Sequence, residues 1–112
     1  MEEFIRAYIA CALWASYQDE REMEKDELAE ETLALLEKEA SVFYNENHKL
    51  FTGNEAQAGH DFWLTRNRHG SGYWDIDNVY GDHAQTLTDK AHKAGERTLY
   101  YGDDGKIYQA RG

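Results

Sequence analysis

The chain has 112 residues, a net charge of −10, 13% aromatic residues, no proline and a single cysteine. That length predicts one domain over 1–112, which buries roughly two-thirds of the surface its unfolded form exposes, and the aromatic content supplies a core. The charge disfavours direct nucleic-acid binding, the lone cysteine excludes an internal disulfide, and the lack of any run of about 20 apolar residues, with Met1-Glu2-Glu3 in place of a basic leader, predicts a cytoplasmic protein without a membrane partner.

Phe4 to Tyr17 is rich in alanine and leucine and reads as a first helix, apolar on more than one stripe through Phe4, Ile5, Tyr8, Ile9, Ala12, Leu13 and Trp14. Cys11 lies among these residues and reads as a buried thiol, not a nucleophile. Gln18 to Lys25 is a polar connection. Asp26 is expected to cap a second helix reaching about Leu50, with Leu28, Thr32, Leu35, Leu36, Ala40, Phe43, Asn47 and Leu50 on its inner face. Glu27, Glu30, Glu31, Glu37 and Glu39 are expected outside, and Gly53-Asn54 marks the stop. The part before residue 52 is thus helical.

Negative charge is concentrated in this half. Up to Glu55 there are fourteen acidic and five basic residues, net −9, against eight and seven thereafter, net −1. Asp19 to Glu31 alone holds eight carboxylates beside Arg21 and Lys25. Side chains three and four apart on a helix stand about 5–6 Å apart, near the roughly 7 Å spacing of phosphates along one strand. Glu20, Glu22, Glu24, Glu27, Glu30 and Glu31 are therefore candidate partner-binding residues that imitate nucleic acid; the plainer reading is a solvated face that maintains solubility.

Gly59 to Asp77 is the densest run of aromatic, histidine and turn-forming residues. Alternation of His60, Phe62, Leu64 and Arg66 with Asp61, Trp63, Thr65 and Asn67 has the period of a strand. Tyr73 to Ile76 is read as its partner across Arg68-His69-Gly70-Ser71-Gly72. On this reading Trp63, Arg66 and Trp74 are the aromatic and cationic candidates for partner contact. His83 to Ala94 reads as a further helix, with Asp82 as its cap and Gly95 as its stop. Arg97 to Tyr101 and Lys106 to Gln109 read as a hairpin across Gly102-Asp103-Asp104-Gly105. The fold class is α+β: N-terminal helices packed on a small antiparallel sheet of two hairpins separated by a helix, with the β-α-β part over 59–112.

Catalytic readings are weaker. His60, His69, His83 and His92 with Asp61, Asp75 and Asp77 match no zinc spacing, so no metal and no cofactor is assigned. Asp75-Ile76-Asp77-Asn78 opens like a calcium loop but meets Tyr80 and Thr86 where glycine and glutamate belong. Ser71 lacks the nucleophile elbow, and Gly70-Ser71-Gly72 is too short to cradle phosphate. A small hydrolase or metal-dependent enzyme built on the His and Asp residues of 60–77 is the alternative to a non-enzymatic binding protein.

GHDFWLTRN, HG-x-G-x-WD and YYGDDGKIY together resemble a recurrent family of small bacteriophage-encoded proteins, and FIRAYIACALWAS resembles that family's opening helix. Arg68 stands where the pattern has glycine. The resemblance assigns no activity and no catalytic residue. Its setting implies an accessory protein of the anti-CRISPR or anti-restriction type, which acts in the host cytoplasm on a protein with a basic surface, or a structural or regulatory phage module.

Overall fold

The first helix, α1, runs from Glu2 to Ala15 and turns Phe4, Tyr8, Ile9, Cys11, Ala12 and Leu13 inward. In this computed structural model, residues 1–16, 21–69, 72–74 and 79–112 are described; Tyr17 lies outside them. The α2 helix spans Glu30–Asn47, α3 Glu55–Arg66 and α4 Ala84–Ala94, followed by β1 at Arg97–Tyr101 and β2 at Ile107–Arg111. The molecule is α+β, with these four helices and a two-stranded antiparallel sheet among the described residues.

The expected hairpin over Gly59 to Ile76 is corrected: Gly59 to Arg66 belongs to α3, and Tyr73 and Trp74 lie in a turn. From Ala58 to Arg66, every residue except His60 is buried. A helix enclosed on almost all sides has no polar stripe, so the helical period that marks an amphipathic segment is missing and an incidental alternation remains. Arg68 follows at φ 58°, a left-handed conformation that glycine adopts without strain.

Asp26 does not cap α2. It lies in a 3₁₀ turn, Lys25–Glu27, whose capping box is formed by Glu24 and Glu27; α2 starts after Ala29 without a side-chain cap. Asp82 similarly lies in a 3₁₀ turn, Gly81–His83, that leads into α4. Gly95 ends α4 at φ 86°, as its position predicts.

The C-terminal hairpin pairs Arg97 with Arg111, Leu99 with Gln109 and Tyr101 with Ile107. The Gly102 N–H closes the turn onto the Lys106 carbonyl at 2.8 Å, and Gly105 takes φ 81°. On its other side, β2 is bridged to the segment before α2: the Ala29 N–H donates to the Ile107 carbonyl at 3.2 Å. The acidic N-terminal half is thereby tied to the C-terminal sheet.

The core is aromatic. Phe43 stacks on Phe62 with centroids 3.9 Å apart, Tyr8 lies 5.0 Å from Phe62, and Phe4 lies 5.2 Å from Phe51. Among the described residues, the most extensive helix–helix packing is α1 against α3. A Cβ built on Gly59 would stand 2.1 Å from the Phe4 carbonyl oxygen, so the absent side chain is what lets the two backbones meet.

Candidate protein-interaction surfaces

Of the carboxylates in the acidic run, Glu22, Glu24, Asp26, Glu30 and Glu31 are exposed; Asp19 and Glu20 lie outside the described residues. Glu30 and Glu31 occupy the first turn of α2, where the helix dipole favours negative charge. Glu27 is different. It accepts hydrogen bonds from the Glu24 backbone N–H at 3.0 Å and from the Tyr101 hydroxyl at 2.7 Å, and it pairs with Arg21. These interactions, the Glu24 N–H foremost, hold its carboxyl below the usual carboxylate range. Glu27 thus anchors the strip to β1, and its neighbours present the charge.

Glu39, expected outside, points inward. Its Oε1 accepts from Arg66 Nη1 at 3.1 Å and from Gln109 Nε2 at 3.2 Å, and its Oε2 accepts from Arg97 Nε at 3.0 Å. One carboxylate therefore joins α2, α3 and both strands.

Trp63 and Arg66 do not reach the surface. Trp63 is 2% exposed and Arg66 1%. Arg66 spends its donors inside: Nε to the Gly95 carbonyl at 2.7 Å, Nη2 to the Ala94 carbonyl at 3.0 Å, and Nη1 to the Tyr8 hydroxyl at 2.9 Å as well as to Glu39. The guanidinium sits at the negative end of the α4 dipole and satisfies carbonyls the helix leaves open. Trp63 Nε1 has no hydrogen-bond partner among the described residues. Trp74, in contrast, is 58% exposed, beside a cleft that His69, His92 and Arg68 also line.

Among the described residues, His60, Asp61 and His69 do not gather. Asp61 accepts from Tyr80 at 2.6 Å and from Gln57 at 3.0 Å inside the core. His60 is half-buried with its ring 5.9 Å from that of Trp14, and His69 is exposed. Asp75, Asp77, Gly70 and Ser71 lie outside the described residues, as does the calcium-like stretch. Among the described residues, no three His, Cys, Asp or Glu side chains converge as a metal-binding group, and no helix is long and apolar enough to cross a membrane.

Cys11 is 1% exposed. Burial, with the Asp61 carboxylate nearby, pushes its thiol up to about 12, which removes the thiolate a nucleophile requires.

Two surface features escape the residue-pattern reading. Trp14 is 64% exposed although it sits in the most apolar helix. At 100° per residue it falls on the side of α1 away from Tyr8 and Ala12, so a helical wheel finds it where an apolar count does not. The second feature is a groove of about 650 Å³ between α2 and α4, floored by Phe43 and Phe62. Its apolar lip, Leu35 and Val42, is 44% and 49% exposed; Leu35 is thus on the outer face of α2, not the inner one. No family model, curated protein or solved structure matches the chain.

Proposed function

We propose that this chain is a bacteriophage or mobile-element accessory protein that acts without turnover: an acidic inhibitor of a host defence system, of the anti-CRISPR or anti-restriction type, that occupies a basic nucleic-acid-binding surface. The observation that carries the reading is the set of exposed carboxylates at the entry to α2, Glu22, Glu24, Glu30 and Glu31 together with Asp26. The strip is held in place by the Glu27 contacts and by the Ala29 to Ile107 bridge. Charge fixed before binding loses less conformational freedom on association than charge on a loose tail. Complementary charge mainly accelerates encounter, and exposed Trp74 supplies the apolar contact that slows release.

The test is a fourfold variant, Glu22→Gln, Glu24→Gln, Glu30→Gln and Glu31→Gln, with Glu27 left intact because its carboxylate serves the fold. It is expected to keep its melting temperature within a few degrees: Glu24→Gln retains an oxygen that accepts in the Lys25–Glu27 cap, and Glu30→Gln and Glu31→Gln lose favourable dipole charge at α2, about 0.3–1 kcal/mol per site. Capture of purified CRISPR and restriction complexes should weaken at least tenfold at low salt and less at high salt, where the wild-type contact is already screened. Equal inhibition by the variant and the wild type at low salt would remove the acidic strip from the mechanism.

A further inference from the structure

The groove between α2 and α4 has the opposite electrostatic character from the molecule around it. Five cations line it, Lys38, Lys90, Lys93, Arg66 and Arg97, against two carboxylates, Glu39 and Glu46. Glu39 is already bound by Arg66 and Arg97. Lys38, Lys90 and Lys93 form no ion pair among the described residues. The local balance is positive in a chain of net charge −10. At physiological salt the Debye length is about 8 Å, so a charged group entering the groove beside Lys90 and Lys93 responds to these lysines more than to charges several turns away.

The apolar part has a matching layout. Leu35 and Val42 are seven residues apart on one stripe of α2, about 10 Å along its axis, and Phe43 and Phe62 lie beneath them. The α4 wall contributes Lys90 and Lys93 one turn apart. A groove flanked by two helices, with apolar contacts spread over two turns and cations along the rim, has the form that receives an amphipathic helix. We infer that this groove binds an acidic amphipathic helix of a partner protein, its apolar face on Leu35 and Val42 and its carboxylates on Lys38, Lys90 and Lys93. This second binding surface is lined by residues other than those of the acidic strip.

A second copy of this chain fits less well. A symmetric antiparallel pairing of two α2 helices that sets Leu35 against Val42 also sets Glu31 against Glu46, like charge against like, while the Lys38 it sets against Glu39 meets a carboxylate that Arg66 and Arg97 already hold.

The test uses the full chain and a fluorescein-labelled synthetic helix of about four turns, roughly 15 residues, with leucines on one stripe and glutamates flanking it. A control peptide carries lysine at every glutamate position. Fluorescence anisotropy is expected to show saturable binding of the acidic peptide only. Lys90→Glu with Lys93→Glu should weaken it at least tenfold, as should Leu35→Ser with Val42→Ser. All four side chains line an open groove, so the far-ultraviolet circular dichroism of both variants should match the wild type; Lys38→Glu offers an independent third variant on α2. Binding of both peptides alike, or of neither, overturns the proposal. So does sedimentation that shows a wild-type dimer which Leu35→Glu with Val42→Glu dissociates, since the occupant would then be a second copy.

Discussion

Arg66 shows how little a residue type reveals about its task. In the sequence it stands among Trp63, Arg68 and Trp74 and reads as part of an exposed recognition cluster; in the fold it is 1% exposed, and its planar fork reaches Tyr8, Glu39, Ala94 and Gly95 at once. An ammonium group is compact and cannot span those four acceptors. Arg66→Lys should therefore lower stability by at least about 2 kcal/mol, because buried acceptors lose charged partners at roughly 1–3 kcal/mol each. The midpoint of urea unfolding measures this. A Lys variant as stable as the wild type would mean that only the positive charge matters there. Sequence pattern can say that an arginine and a tryptophan are near each other in the chain, but which of them faces water depends on the elements that close over them. That is why Trp74 stayed outside while Trp63 did not.

At the scale of elements, the contact between α1 and α3 rests on Gly59. Alanine has the better helix propensity by about 1 kcal/mol, which alone would favour Gly59→Ala. The added methyl would meet the Phe4 carbonyl oxygen at 2.1 Å, and that neighbour is backbone, unable to swing aside. Overpacking of this kind costs typically 1–3 kcal/mol or more, so the clash outweighs the propensity and the variant should melt several degrees below the wild type. A higher melting temperature for Gly59→Ala would show that α1 and α3 can separate without loss. Much at this scale was legible beforehand. The first and second helices, α4 and the C-terminal hairpin follow from composition and periodicity and, for α4 and the hairpin, from glycines at their ends. The exception is α3, where burial on nearly every face erased the contrast on which periodicity depends. Glu39 escaped for a related reason: a lone glutamate on a polar face gives no sign that three donors from other elements converge on it.

For the molecule as a whole, the buried hydroxyls and thiol set a limit on the alkaline side. Burial raises Tyr8 from 10.0 to about 12 and Cys11 from 9.0 to about 12, and it also raises Tyr73 and Tyr80, the latter further through its bond to Asp61. Each of these groups is neutral in the folded protein and ionises more readily when unfolded. Their contribution is fully present below about pH 9 and is lost as pH rises toward 12. Between its unfolded and folded values each group removes about 1.4 kcal/mol of stability per pH unit. Stability should therefore fall steeply above pH 10, with the tyrosinate absorbance of the buried side chains and reaction of Cys11 with a thiol reagent appearing together at unfolding. Early, gradual titration of all the tyrosines with the fold intact would contradict this account of the core.

The sequence by itself determined the α+β class, the single strongly acidic half, the terminal hairpin and the residue types available for a core, because these depend on composition, local period and turn chemistry. Tertiary structure alone decided that the Gly59 to Arg66 stretch is a helix, that Trp63 and Arg66 are interior, that Glu27 anchors rather than advertises its charge, and that lysines from α2 and α4 meet around one groove. Those outcomes depend on contacts between residues far apart in the chain, and burial, partner choice and local potential are properties of such contacts rather than of any single segment.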